Sequence, residues 1–289
     1  MSAPRGDRGG LFAAPAAAAL AVVALAPLAA TAWLSLRRRV LVFGVDEWIG
    51  LANYRAIVHD ARFWNALGNT AYFTAVAVAV ELVLALPLAL VLHRASRGRG
   101  ALRAAVLVPW ILPTVVAAKL WALLFQPDWG LVARLVPGGG AVLASPRLAL
   151  HAAILVDVWK TTPFVALLLL AGLQAIPEDL SRAARVDGAS AWRAFRSVTL
   201  PLLRPAILLA VLFRSLDAFR VFDAVLVLTD GGPGHTTESL SLYAHKTLLR
   251  AGSFGLGSAL SLVTFLCTLA IGLAWLRAVG ARRGREALR

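Results

Sequence analysis

Six apolar segments divide this chain, and each is long enough to cross a lipid bilayer as a helix, which takes about 20 mostly apolar residues. They are residues 11–36, 69–92, 104–125, 148–173, 205–229 and 254–276. Only 15% of the 289 residues are charged, whereas a soluble domain carries roughly 25%. The chain is therefore predicted to be an all-α, polytopic membrane protein with six transmembrane helices.

The basic residues predict how these six helices are oriented. Six spans place both termini on the same side, and short loops rich in lysine and arginine stay in the cytoplasm. With both termini inside, sixteen of these residues face the cytoplasm and nine lie in the outer loops. The formal net charge of +14 is thus divided among short loops, which argues against a nucleic-acid partner and favours contact with an anionic lipid bilayer.

A polar loop at 174–201 separates the fourth and fifth apolar segments. Pro177 and Glu178 suit the first turn of a helix, Gly188 can end it, and Ser190 can cap a second helix that carries Trp192 and is expected to end at Leu200 and Pro201. The loop either only connects two spans or offers a surface on which another protein docks. Its length and its small alanine side chains favour docking.

Charged residues also lie inside the fifth span, where each costs roughly 2.5–3.5 kcal/mol. Arg214, Asp217, Arg220 and Asp223 follow one another at three-residue spacing with alternating sign. Two interpretations remain open. The four side chains form a self-neutralising ladder packed against another subunit, or they line a polar pathway with donors for hydroxyl groups.

The other spans contain similar exceptions. Glu81, in the second span, has no charged neighbour in sequence, and Lys119 or Arg214 of a neighbouring helix is its expected partner. In the third span, Pro109 and Pro113 are expected to interrupt the helix, and interrupted helices line cavities in membrane proteins.

Several function classes lack their motifs. The chain contains no G-x-x-x-x-G-K-[ST] loop for a triphosphate, no H-E-x-x-H zinc motif and no G-x-S-x-G nucleophile motif. The five histidines are scattered, so no metal site is predicted. A transport subunit rather than an enzyme is expected, with no cofactor on this chain.

The docking loop carries a specific resemblance. The stretch from Arg182 to Ala189 (RAARVDGA), followed by Leu200-Pro201, resembles the EAA loop of ATP-binding-cassette (ABC) import permeases. Further matches extend over most of the chain, among them Leu107-Val108-Pro109, Thr229-Asp230-Gly231-Gly232-Pro233 and Phe254-Gly255. Together they are similar to MetI-like permeases of the carbohydrate branch, of the maltose and glycerol-phosphate first-subunit kind, which implies a type I importer fold.

The resemblance implies partners and a coupling site. The partners would be a second permease, making a heterodimer, an ABC ATPase dimer that holds ATP and magnesium, and a periplasmic or lipoprotein substrate-binding protein. The family places Glu where Arg182 stands, so this chain reverses the charge that helps to hold the loop on the ATPase. The ATPase-coupling residues are expected to be Glu178, Arg182, Ala183, Ala184, Asp187, Gly188, Trp192, Phe195 and Pro201.

The resemblance also implies a substrate pathway for a sugar or oligosaccharide in a bacterial or archaeal plasma membrane. Its expected residues are Trp110, Thr114, Asp157, Val158, Lys160, Thr161, Arg214, Asp217 and Val221. Glycerol phosphate or a polyol is an alternative solute, and Lys160 and Arg214 would favour an anion only if unpaired. A proton-coupled secondary transporter, which would need neither docking loop nor partners, is the alternative outside the family.

The expected organisation has three parts. Residues 1–68 hold the first span and an outer loop, residues 69–276 form the permease core, and residues 277–289 form a basic cytoplasmic tail.

Overall fold

The structure is a computed structural model that describes residues 8–94, 98–135 and 141–286. Those residues form α1 (Arg8–Ser35), α2 (Ala52–His59), α3 (Ala61–Arg94), α4 (Arg99–Ile111), α5 (Thr114–Leu124), α6 (Leu131–Leu135), α7 (Ala149–Gln174), α8 (Glu178–Val186), α9 (Ala191–Ala194), α10 (Leu200–Ala218), α11 (Asp223–Leu228), α12 (Leu240–His245) and α13 (Phe254–Glu286). Two strands, β1 (Arg37–Val40) and β2 (Val45–Trp48), pair as an antiparallel hairpin. This hairpin is the one departure from the all-α prediction within the described ranges.

The six predicted spans are present as five long apolar helices and one bent pair. The bent pair is α4 and α5, which meet at 85° around Leu112 and Pro113. The expected interruption of the third span is therefore confirmed. The last helix, α13, continues through most of the segment predicted as a basic tail and is described as far as Glu286, while residues 287–289 lie outside the described ranges.

The prediction that the fifth span is one helix from 205 to 229 is wrong. Helix α10 ends at Ala218, and α11 begins at Asp223 after a break. Inside the break, the Val221 carbonyl accepts a hydrogen bond from the Ser239 hydroxyl at 2.7 Å. Residues 219–228 are apolar except for Arg220 and Asp223, so hydropathy does not report the change of direction.

The expected end of the docking unit at Pro201 is also wrong. Helix α9 passes through a π-helical turn, Phe195–Thr199, directly into α10, and a continuous helix runs from Ala191 to Ala218. A proline ring normally clashes with the carbonyl four residues earlier. The wider π turn lies immediately before Pro201 and leaves room for that ring.

The chain divides into two compact units. The first contains the described residues up to Asp60 together with Tyr243–Phe265. Within it, Asn53 Nδ2 donates to the carbonyls of Ser35 at 2.7 Å and Arg37 at 3.0 Å, which ties α2 to the base of the hairpin. Gly255, in the first turn of α13, lies so close to the hairpin that a Cβ there would be 1.9 Å from the Arg37 carbonyl oxygen.

The second unit contains Ala61–Leu242 and the described residues from Leu266 onward. Its centre is the packing of α3 against α7 and α10. Fully buried alanines let the helices approach closely, as small residues do in membrane proteins; they include Ala77, Ala85, Ala153, Ala166 and Ala210.

Candidate substrate pathway and coupling site

Arg214 forms the centre of a buried ion cluster made of Glu81, Asp157, Arg214 and Asp217. Arg214 Nε lies 2.6 Å from Glu81 Oε2, and Nη2 lies 2.7 Å from Glu81 Oε1. Nη2 is also 2.7 Å from Asp157 Oδ2, and Nη1 donates to Asp217 Oδ2. One guanidinium thus joins α3, α7 and its own helix α10.

The ion cluster is closed to solvent on one side and open on the other. The side chains of Arg214 and Glu81 are 2% and 0% exposed, while that of Asp217 is 64% exposed. The Thr161 hydroxyl lies 2.6 Å from Glu81 Oε1, so both Glu81 oxygens accept hydrogen bonds, which is the pattern of a carboxylate. Of the two partners expected for Glu81, Lys119 and Arg214, the structure shows Arg214.

The ion cluster separates two apolar layers of the second unit. One layer contains Ala77, Val158 and Ala218, and the other contains Ala85, Val165 and Ala210. On α3 and α10, Glu81 and Arg214 fall between a residue of one layer and a residue of the other, while Asp157 of α7 lies at the edge of the first layer, next to Val158. A desolvated guanidinium can occupy this position only because its carboxylate partners converge from all three helices.

The four-residue ladder expected on the fifth span does not form as a continuous series. Arg214 pairs with Asp217, but Arg220 Nε donates to the Leu216 carbonyl at 3.2 Å, and Asp223 begins α11 beyond the break. The i,i+3 pattern therefore identified one real pair and missed the stronger partners on α3 and α7.

Two aromatic contacts flank the pathway residues predicted on α4 and α7. Trp110 stacks on Phe164 with ring centroids 5.3 Å apart and planes 11° apart, and part of its surface remains exposed. Trp159 meets Trp121 edge to face at 5.6 Å. Exposed aromatic rings are suited to the apolar faces of a sugar, and carboxylates such as that of Asp217 to its hydroxyl groups.

The remaining predicted pathway residues occupy different environments. Thr114, the first residue of α5, is half-buried, as are Lys160 and Val221. Val158 is buried in the apolar core and Thr161 is buried against Glu81. In this single chain, those two side chains present almost no surface to a solute.

The docking loop is built as the sequence predicts at its start and its turn. Glu178 begins α8, Gly188 has a φ of +79° after the helix ends, and the Ser190 side chain accepts from the Arg193 amide at 3.3 Å. Trp192 and Phe195 stack with ring centroids 5.6 Å apart, and Trp192 is 68% exposed. The loop therefore presents a large aromatic side chain to its surroundings.

The charge at Arg182 is compensated within its own helix. Arg182 Nη2 lies 2.7 Å from Glu178 Oε2, and Nη1 lies 3.6 Å from Asp179 Oδ1. Ala183, Asp187 and Gly188 are exposed on the same loop, Ala184 and Phe195 are half-buried, and Pro201 is half-buried within the continuous helix. The expected coupling residues thus span α8, the turn and the start of the continuous helix.

A cavity of about 740 Å³ opens between the end of α3 and the docking loop. His93 and Arg94 line it from α3, and Arg182, Trp192 and Phe195 line it from the loop. This cavity lies beside the expected coupling residues, away from the ion cluster. No three His, Cys, Asp or Glu side chains are grouped to hold a metal ion anywhere in the described ranges.

A second buried ion pair fixes the segment after α11 onto the start of α3. Arg62 donates to both oxygens of Glu238, at 2.7 and 2.8 Å, and Glu238 is fully buried. Asn65 Nδ2 donates to the His235 carbonyl at 2.7 Å, and Leu240 N donates to Thr70 Oγ1 at 2.9 Å. The sequence analysis did not predict this contact, because the residues are about 170 positions apart.

Glu81 is the residue of the ion cluster that the predicted pathway set omits. The signal was present, since it is the one charged residue of an otherwise apolar span. An intramembrane ionisable residue is by default a candidate for function. Nothing in the local sequence, however, reports that Arg214, 133 positions away, is its partner.

Comparison with known proteins agrees with this architecture. Residues 81–283 match the family model described as binding-protein-dependent transport system inner membrane component. The chain is 45% identical to the trehalose transport system permease protein SugA of Mycobacterium tuberculosis, over 94% of this chain and 88% of that one. It is 42% identical to the trehalose/maltose transport system permease protein MalF of Thermococcus litoralis, over 95% and 94% of the two chains.

A solved structure shares the fold. It is a bacterial ABC transporter involved in the import of the acidic polysaccharide alginate, with a TM-score of 0.79, 22% identity and coverage of 96% of both chains. The fold and the pattern of interrupted spans thus define a permease of the type I importer class. The chain belongs to the family of binding-protein-dependent transport system inner membrane components, which are multi-pass transport subunits rather than enzymes.

Proposed function

We propose that this chain is the permease subunit of a binding-protein-dependent ABC importer and forms half of the pathway for a sugar or oligosaccharide. The observation that carries the proposal is the full-length similarity to two permeases whose names specify trehalose or maltose transport. The partly exposed Trp110 and the exposed carboxylate of Asp217 support it, because carbohydrate recognition combines aromatic surface with hydrogen-bonding groups.

Transport by this chain requires energy from another polypeptide. No triphosphate-binding motif occurs in the sequence, so ATP and magnesium belong to a partner ATPase dimer. A second permease would complete the pathway, and a substrate-binding protein would deliver the solute. The docking loop, with its exposed Trp192, would transmit closure of the ATPase dimer to the helices.

Arg182 changes how the docking loop meets the ATPase. Its guanidinium is already paired with Glu178 and Asp179 on the same helix. The anionic role that the family assigns to this position therefore passes to another residue, for which Asp187 is exposed and close in sequence. The partner ATPase is expected to carry the complementary surface.

Reconstitution tests the proposed function directly. Proteoliposomes containing this chain, its second permease, the ATPase and the binding protein should accumulate labelled trehalose or maltose when ATP is enclosed. Liposomes with this chain alone should accumulate neither. ATP-independent uptake by the chain alone would contradict the proposal and favour a secondary transporter.

Gly188→Val is expected to abolish ATP-driven uptake while leaving membrane insertion intact. Gly188 has a φ of +79°, and no atom lies within 4 Å of a Cβ built there, so the substitution strains only the backbone. A β-branched residue rarely adopts this conformation, and the cost is on the order of 1–3 kcal/mol. Uptake and ATPase stimulation in proteoliposomes are the measurements.

Gly188→Asn is the matched control, because asparagine adopts left-handed backbone conformations far more readily. It should retain most of the uptake, and both variants should be present in the membrane at the wild-type level. Normal uptake by Gly188→Val would remove the shape of this turn from the coupling mechanism.

A further inference from the structure

We infer that the ion cluster makes the pathway selective for uncharged saccharides over anionic ones, with Glu81 as a positioning residue that never contacts the solute. This inference rests on the proposed function, since it assigns the solute class of the same pathway. Four carboxylate contacts to one buried guanidinium carry it.

Arg214 is, with Lys160, one of two cations in the predicted pathway that could bind an anionic solute, and four of the five N–H groups of its guanidinium are engaged. Its Nε and both Nη atoms already donate to Glu81, Asp157 and Asp217. Glu81 takes two of these donors in a fork, which is the geometry that fixes a guanidinium most firmly. A phosphate or carboxylate entering the pathway would have to displace one of these contacts from a site that is 2% exposed.

The open side of the ion cluster is negative. Asp217 is 64% exposed, and a carboxylate within a span faces water or a partner protein rather than lipid. In the described residues, the second oxygens of Asp157 and Asp217 have no hydrogen-bond partner, so they remain acceptors for solute hydroxyl groups. The ion cluster contains three carboxylates and one guanidinium. Even if Lys160, one turn from Asp157, is counted with it, the net charge remains negative.

Glu81 sets this charge balance from a buried position. It binds Arg214 on the side that is closed to solvent, and Thr161 occupies the same carboxylate. Removing its charge leaves the exposed carboxylates in place but makes the ion cluster less negative. The preference between a neutral and an anionic solute should then change without any change in the atoms that touch the solute.

The experiment uses the whole transporter, this chain with its second permease and ATPase in nanodiscs, without the binding protein. Binding of tritiated trehalose and of trehalose 6-phosphate is measured separately by scintillation proximity. These probes share one scaffold and differ by one phosphate group. We expect the wild-type protein to bind trehalose at least about tenfold more tightly, which is the effect of one unit charge about 12 Å away at an effective dielectric constant of about 20, about 1.4 kcal/mol.

Glu81→Gln should reduce this ratio by about tenfold, because it removes one negative charge and keeps the shape of the side chain. Asp217→Asn changes an exposed position where folding is not at risk and should reduce the affinity ratio similarly. This variant tests the inference if Glu81→Gln does not assemble. The control is Asp128→Asn, which removes the same charge from the exposed loop after α5 and should leave the ratio unchanged.

Each outcome separates the inference from the proposed function. A purely structural role of Glu81 would weaken both probes equally, and an unchanged ratio in both variants would overturn the inference. Equal affinity of the wild-type protein for the two probes would overturn it as well. Failure of the wild-type protein to bind either tritiated trehalose or tritiated maltose, measured in the same way, would instead contradict the proposed sugar pathway.

Discussion

Arg214→Ala is expected to destabilise the folded chain by about 3–5 kcal/mol, the usual cost of breaking a buried ion pair by removing one partner. The substitution would leave Glu81 fully buried without its cation and Asp157 without its partner on α10. Thermal unfolding of the fluorescently tagged chain in detergent, followed by size-exclusion chromatography, measures the effect. We expect almost no folded protein at temperatures where the wild type is intact.

Arg220→Ala provides the matched control. Arg220 lies six residues after Arg214, just beyond the end of α10, is exposed, and donates a hydrogen bond to the Leu216 carbonyl. Its loss should change stability by less than about 0.5 kcal/mol, as for most surface substitutions. Equal unfolding temperatures for the two variants would show that the ion cluster does not hold the three helices together.

Among single added methyl groups in the first unit, the one introduced by Gly255→Ala is expected to be the most destabilising. Its Cβ would lie 1.9 Å from the Arg37 carbonyl oxygen and 3.1 Å from the Arg39 amide nitrogen. Both neighbours are backbone atoms of β1, so no side-chain rotation relieves the overlap. Overpacking typically costs 1–3 kcal/mol, and about 3 kcal/mol or more is expected here, measured as a lower unfolding temperature and a lower yield of folded protein.

Gly68→Ala isolates the effect of the methyl group. Gly68 lies within α3, and no atom lies within 4 Å of a Cβ at that position. Alanine should stabilise the helix there by about 0.5–1 kcal/mol. A Gly255→Ala protein as stable as Gly68→Ala would mean that the hairpin is not held against the start of α13.

The sequence predicts most of the fold because each spanning helix must satisfy its own backbone hydrogen bonds in lipid. Apolar length alone therefore identified the six spans, although not where the fifth begins and ends, and Pro109 and Pro113 identified the bend in the third. The break after Ala218 was not predictable in this way. In the break, the Val221 carbonyl accepts a hydrogen bond from Ser239, a residue of a later segment that the local sequence does not report.

The candidate site was predictable only in part. Spacing along one helix identified Arg214 and Asp217 as a pair, because i,i+3 neighbours share a face. The pairing of Arg214 with Glu81 and Asp157 depends on how three helices pack, and a single sequence does not report that. The sign of the charge on Glu81 was still informative, because a buried carboxylate needs a cation as its partner, and that cation can come from any element of the fold.

The helix from Ala191 to Ala218 carries the docking loop near one end and Arg214 near the other. At 1.5 Å per residue, Trp192 lies about 33 Å from Arg214, and Ala218 lies about 6 Å beyond it. If the guanidinium acts as a fulcrum, a swing of the long arm that carries the docking loop is reduced roughly fivefold at the short arm, and the force there is multiplied by the same ratio. A wide and weak movement at the docking loop would then become a small and forceful movement at the end of the helix beyond Arg214.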